Sequence, residues 1–313
     1  MSMVLNIKKG DIIDVIAPSS GNFNVDIYDA VEFINNHLGY NARIREGMMV
    51  KERDPFSANT DEVRLEQLLD ALRAPDSKVL WAYRGGYGAT RLITLLSEYD
   101  FSDLPPKTII GFSDITALQL YFYERYGWPY LHSRVVNQYI DGTKLSDDDI
   151  PRIKSILSGE WKVIKHDLTP ANSLAQNENT IEAEVIGGNL CLIESSLGTD
   201  WQIKPAGKIL FFEEVSERGY RIHRMLEHLK QAGIFDDIKA LIIGDIKCQA
   251  EADGSMLCED ALNDFIGKAE FPIFRSSDFG HGEKNYPLFC GVKATLEIGA
   301  NPALIFENFN QGV

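Results

Sequence analysis

Apolar positions along this chain switch repeatedly between two periods. Runs of β-branched residues such as DIIDVIAPSS (11–20) read as buried strands ending in a turn. They give way to stretches like IYDAVEFINNHLG (27–39), where apolar residues fall at helical spacing and Gly39 supplies a stop. The alternation continues. DEVRLEQLLDALRAP (61–75) carries an amphipathic helical stripe, SKVLWAYRGG (77–86) a strand running into glycines, and ATRLITLLSEY (89–99) the helix after it. KTIIGFSDITALQLYFYERYG (107–127) then repeats strand, sharp turn and helix. Such an order predicts an α/β fold, with a mostly parallel sheet flanked by helices on both faces.

The pattern weakens into polar residues from about 141 to 179, including DGTKLSDDD and HDLTPANSLAQNEN. An N-terminal α/β domain is therefore expected over 1–150, a linker over 151–179 and a C-terminal domain over 180–313. Within the last, GGNLCLIESSLG reads as a buried helix, KILFFEEV and KALIIGDI as strands, and YRIHRMLEHLKQAG as an amphipathic helix closed by Gly233. FPIFRSSDFGHGEKNYPLFCGVKATLEIG has the short strands and frequent turn residues of a smaller, β-rich piece.

Composition narrows the partners. The 313 residues carry 31 Lys plus Arg against 46 Asp plus Glu, a formal charge of -15, which repels phosphate backbones and anionic lipid. Nucleic acid and membrane are not expected as partners. The N-terminal stretch lacks an apolar run behind a basic start, and no segment approaches the roughly 18 apolar residues of a membrane span, so a cytoplasmic protein is expected. Cysteines at 191, 248, 258 and 290 form no C-x-x-C pair and read as buried thiols in a reducing compartment.

Four segments could carry chemistry. Ser113 stands where the strand Thr108 to Ile110 reverses, after Gly111, into a helix. That place thrusts a hydroxyl out of a sheet, and it also suits a helix cap by Ser113 or Asp114. A serine nucleophile needs a base, and the six histidines differ in suitability. His37 ends a surface helix, His166 lies in the polar boundary, and His132 follows an apolar run as core histidines do. His223 and His228, five apart, lack metal-ligand spacing, so neither a metal nor a cofactor is expected. His281, between Gly280 and Gly282, sits in a turn-rich loop that can aim an imidazole or simply face solvent. Glu213 and Glu214 end an apolar strand, where alternation lets only one face a given site. Gly85, Gly86 and Gly88 could expose amides to an anion or form an ordinary turn, without the G-K-[ST] of a phosphate loop.

Together these segments resemble the LD-carboxypeptidases, serine peptidases that remove the terminal D-alanine from cytoplasmic muropeptide tetrapeptides. The resemblance runs through APSS (17–20), RGGYGATRL (84–92), GFSD (111–114), GGNLCLIESSLGTDW (187–201), ILFFEEVSERGYRIHRML (209–226) and DFGHGEKNYPL (278–288), in that order. It implies a Ser-Glu-His triad of Ser113, Glu213 and His281, an oxyanion hole from the amides of Gly86 and Asp114, a homodimer, and two domains that share the triad. The family usually has Glu-Asp where this chain has Glu213-Glu214, so the first acid takes the catalytic place. The chain departs from the family at Leu131 to Val136, a stretch that bears on substrate choice. Arg84 is a candidate for the substrate's free carboxylate or for a brace within the sheet. Two other readings stand beside this one: a peptidase of the microcin C immunity type, acting on peptidyl or aminoacyl nucleotides, and a non-catalytic α/β ligand-binding module.

Overall fold

In the computed structural model, which describes residues 5–50 and 52–308, the N-terminal alternation of periods becomes a parallel sheet. Residues 1–4, where the N-terminal stretch begins, lie outside the described residues, as do Lys51 and 309–313. The described residues divide into two compact units, one ending at Glu160 and the other beginning at Trp161.

In the first unit β1 (Ile12–Ile16), β2 (Asn41–Arg43), β3 (Ser77–Ala82), β4 (Thr108–Gly111) and β5 (Tyr130–His132) pair in parallel in the order β2-β1-β3-β4-β5. Val79 to Ala82 and all of β4 are buried, the continuous apolar run that a parallel strand covered on both faces requires. The connecting helices are α1 (Ile27–Glu32), α2 (Asp61–Arg73), α3 (Ala89–Leu96) and α4 (Thr116–Tyr126), with α5 (Asp149–Ser158) after the last strand. On α3 the stripe is Leu92, Ile93 and Leu96, whereas α4 is buried all round from Thr116 to Phe122. Parallel strands put their carboxyl ends on one edge. The loops after β1, β3 and β4, which hold APSS, RGGYG and GFSD, therefore emerge side by side.

The second unit is built on four parallel strands, β8 (Asn179–Asn189), β9 (Ile209–Glu217), β10 (Ala240–Cys248) and β11 (Ile273–Gly280). They are linked by α6 (Leu190–Ser195), α7 (Gly219–Gln231) and α8 (Cys258–Lys268). Antiparallel strands widen this core into the order β6-β14-β13-β8-β9-β10-β11-β7. These are β6 (Val163–Asp167), β7 (Thr169–Pro170), β13 (Val292–Ile298) and β14 (Ala303–Glu307), with β12 (Leu288–Cys290) preceding β13 in the chain. Ile209 to Glu214 are all buried, so β9 is covered on both faces. A Cβ on its neighbour Gly187 would stand 1.9 Å from the Phe211 carbonyl oxygen, so β8 and β9 close only because residue 187 is glycine. The amphipathic α7 buries Ile222, Met225, Leu226 and Leu229 and leaves the opposite face to solvent.

Three expectations change here. The stretch 151–179 holds most of α5, all of β6 and β7 and a 3-10 turn rather than an irregular linker. His166, read as a residue of the polar boundary, is fully buried in β6, edge-on to the rings of Phe279 and Phe306. Cys248 and Cys258 form a disulfide joining the end of β10 to the start of α8. Strand and helix ends bring the two together across ten positions of sequence, which spacing alone does not reveal.

Candidate active site

The turn at Ser113 begins with a steric requirement. A Cβ on Gly111 would lie 2.9 Å from Ile115 Cγ2, so only glycine can end β4 this close to the following helix. Phe112 is extended, and Ser113 then takes φ +60°, a left-handed conformation that costs a non-glycine residue about 1–2 kcal/mol. A half-buried serine held strained between strand and helix is the local geometry of a nucleophile elbow. The RGGYG loop packs against it: a Cβ on Gly85 would stand 3.1 Å from Ser113 Cβ and 3.3 Å from its Oγ. Gly86, at φ +105°, abuts Ser20, whose Oγ accepts from the Tyr87 amide at 3.0 Å and donates to Phe56 O at 2.8 Å.

Asp114 does not cap its own helix. Its buried carboxylate accepts from Ser19 Oγ at 2.5 Å and from the Ala89 amide at 2.8 Å, and so caps α3 while tying the loop after β1 to the turn. Burial pushes its pKa up, against the pull of these two donors and of Arg64. The sequence left a cap by Ser113 or Asp114 open; the side chain that caps does so across the sheet edge.

At the carboxyl edge of the second unit, Glu213 and His281 meet. His281 Nδ1 lies 2.5 Å from Glu213 Oε2, and the glutamate is fully buried. A carboxylate accepts only, so Nδ1 carries the proton and the lone pair falls on Nε2. Burial of the imidazole pulls its pKa down, but the charge and hydrogen bond of Glu213, with Glu214 behind it, outweigh this and leave it raised. The two acids separate as strand alternation demands. Glu214 turns to α6, accepting from Asn189 Nδ2 at 3.0 Å and from the amides of Cys191 and Val215 at 2.8 Å. Burial and the neighbouring Glu213 charge raise its pKa to about 7.

Asp245, which sequence reasoning passed over, explains the glycines beside His281. Between Ile243 and Ile246 the register of β10 against β9 slips, a bulge that sets Gly244 and Asp245 beside Glu213. A Cβ on Gly280 would come within 3.1 Å of Asp245 Cβ, and one on Gly282 within 3.0 Å of its carboxylate. The turn carrying the imidazole is therefore seated on this acid.

Arg84 is exposed, and its guanidinium donates to the Gly21 carbonyl. His132 is buried; His223 and His228 lie on the exposed face of α7, beside Asp264 and Glu194. Among the described residues no group of three His, Cys, Asp or Glu side chains could hold a metal ion, and no helix is long and apolar enough to cross a membrane.

A strained serine on a parallel sheet and a carboxylate-oriented imidazole on a mixed one are the kinds of group a serine hydrolase uses. The LD-carboxypeptidase N-terminal domain matches residues 13–133 and the LD-carboxypeptidase C-terminal domain matches 182–296. The murein tetrapeptide carboxypeptidase of Pseudomonas aeruginosa is 30% identical over 91% of this chain and 92% of its own length. A crystal structure of muramoyltetrapeptide carboxypeptidase from Oxalobacter formigenes superposes with a TM-score of 0.79 at 26% identity, covering 95% of this chain and 99% of that one. The microcin C7 self-immunity protein MccF in its wild-type apo state gives 0.82 at 20% identity, covering 99% of each chain, a likeness of fold. The chain belongs to the LD-carboxypeptidase family and is a serine-type carboxypeptidase.

Proposed function

We propose that this enzyme hydrolyses the amide before the terminal D-alanine of muropeptide tetrapeptides, with Ser113 as nucleophile, His281 as general base and Glu213 orienting the imidazole. The observation that carries this reading is the Glu213–His281 pair. A buried carboxylate on Nδ1 fixes the tautomer whose Nε2 can take a hydroxyl proton. The positive φ of Ser113 supports its assignment as the partner.

In the proposed sequence His281 removes the Ser113 proton as Oγ attacks the amide carbonyl. The amides of Gly86 and Asp114 hold the oxyanion, and the imidazolium returns its proton to the departing amine of D-alanine. Water, deprotonated by His281, then releases the shortened peptide from Ser113. Arg84 is assigned the free carboxylate that defines a carboxypeptidase substrate. The enzyme is assigned to the cytoplasm as a homodimer working in cell-wall recycling.

Mass spectrometry of the protein incubated with a tetrapeptide muropeptide tests this. Loss of one alanine by the wild type, and none by Ser113→Ala, is expected. Cleavage of an aminoacyl sulfamoyl nucleotide in place of the tetrapeptide would overturn the substrate assignment, and turnover by Ser113→Ala would overturn the nucleophile.

A further inference from the structure

Arg64 attracts no notice in the sequence, where it reads as a helix residue paired with Asp61 three positions back. In the structure its guanidinium is fully buried. Nη1 donates to Pro18 O and, at 3.0 Å, to Gly88 O; Nε donates to Asn59 O at 3.1 Å; Nη2 reaches Asp61. Gly88 must be glycine here, since a Cβ would lie 3.0 Å from Nη1.

These contacts mirror those of Asp114. The peptide between Gly88 and Ala89 gives its carbonyl to Arg64 and its N–H to Asp114. The loop after β1 is held in the same way, the Pro18 carbonyl by Arg64 and the Ser19 hydroxyl by Asp114. Both side chains are buried, and taking a charge from water is costly. Neutral groups could fasten two loops more cheaply. A cation on the carbonyl side and an anion on the donor side add direction, because neither peptide can rotate without breaking a charge-assisted bond. The segment so fixed, 85–88, is the one packed on the strained Ser113.

We propose that Arg64 and Asp114 act together as positioning residues, a buried charge clamp that sets the glycine loop and the Ser113 turn in one frame before substrate arrives. This rests on the reading of Ser113 as nucleophile. A misplacement of about 1 Å in such a frame costs on the order of 10² in rate.

The test compares R64M, R64K, D114N and R64M/D114N with the wild type and S113A. It measures kcat and KM on the tetrapeptide, the rate of Ser113 labelling by a fluorophosphonate, and the melting temperature. R64M should lower kcat by about 10² with KM within about threefold, and should slow labelling in parallel. R64K should not restore it, since an ammonium cannot span the carbonyls that the guanidinium fork reaches. The double variant should lose no more than the worse single one, as for residues that act as a unit. A folded R64M with wild-type kcat, a loss confined to KM, or losses that multiply would each overturn the clamp. Should R64M not fold, Ser19→Ala removes one bond to Asp114 and leaves both charges. It should cost roughly tenfold in kcat, and an unchanged kcat would overturn the proposal. Turnover by S113A would instead remove the nucleophile on which the clamp is built, whereas an inert S113A beside a fully active R64M sinks the clamp alone.

Discussion

Replacing Glu213 by glutamine tests the site at its most constrained atom. The substitution keeps size and leaves the burial of β9 intact, but it removes the charge 2.5 Å from His281 Nδ1. An amide nitrogen turned toward the ring would also favour the tautomer with the proton on Nε2, which cannot act as base. With charge centres about 4 Å apart and an effective dielectric of about 20, the carboxylate stabilises an imidazolium by about 4 kcal/mol, or roughly 10³ in rate. Turnover should therefore fall by roughly 10² to 10⁴, as when an orienting acid loses its charge elsewhere. The pH profile supplies an independent reading. Glu213 raises the His281 pKa and the base must be neutral, so the acid limb of kcat/KM should move to lower pH in Glu213→Gln. Glu214→Gln, the same change one residue along, should cost less than about tenfold, because Glu214 faces α6 rather than the imidazole. Steady-state kinetics on both folded variants decides the matter. A more damaging Glu214→Gln, or an acid limb that stays in place in Glu213→Gln, would refute the reasoning.

Three further outcomes follow from the site and its frame. Incubation with EDTA should leave the rate unchanged, because the proposed triad generates its own nucleophile; loss of activity restored by zinc would count against the serine mechanism. Glu214, with a folded pKa of about 7 against an ordinary 4.5, binds its proton more tightly in the folded state. Its contribution to stability is complete below about pH 4.5 and is lost as pH rises through 7, by up to about 3 kcal/mol. The melting temperature of the wild type should accordingly fall between pH 5 and 8 more than that of Glu214→Gln, and parallel curves would show that Glu214 does not titrate there. Alkylation of the unfolded but unreduced protein followed by mass measurement should leave Cys248 and Cys258 unmodified; modification of both would mean that they stand reduced.

Much of this was legible in the residues, for identifiable reasons. Gly111 before Ser113, between a β-branched run and a helix, marks a turn that few other sequences can make. The adjacency of Glu213 and Glu214 on a strand required opposite faces, and the structure gives them an imidazole and a helix terminus. What stayed hidden depends on partners far away in sequence. Arg64 gains its meaning from the carbonyls of Pro18 and Gly88, and Asp245 from a bulge that local propensity does not encode. The polar stretch 151–179 misled because β6 is a strand at the edge of its sheet. It buries only Ile164 and His166 and exposes Val163, Lys165 and Asp167, so its composition looks like a linker. The buried His166 belongs to the same alternation.

The paired acids of β9 also pose a problem of bookkeeping along the strand. Slid by one residue, β9 could place Glu214 where Glu213 stands and Val215 where Glu214 stands, and the imidazole would still meet a glutamate. A strand apolar on both faces offers no hydrophobic penalty against the slip. The lock is steric and sits one strand away. Gly187 leaves a gap of one missing methyl group, and the Phe211 backbone fills it. Which of two chemically identical carboxylates meets the imidazole is thus tied to a residue that has no side chain.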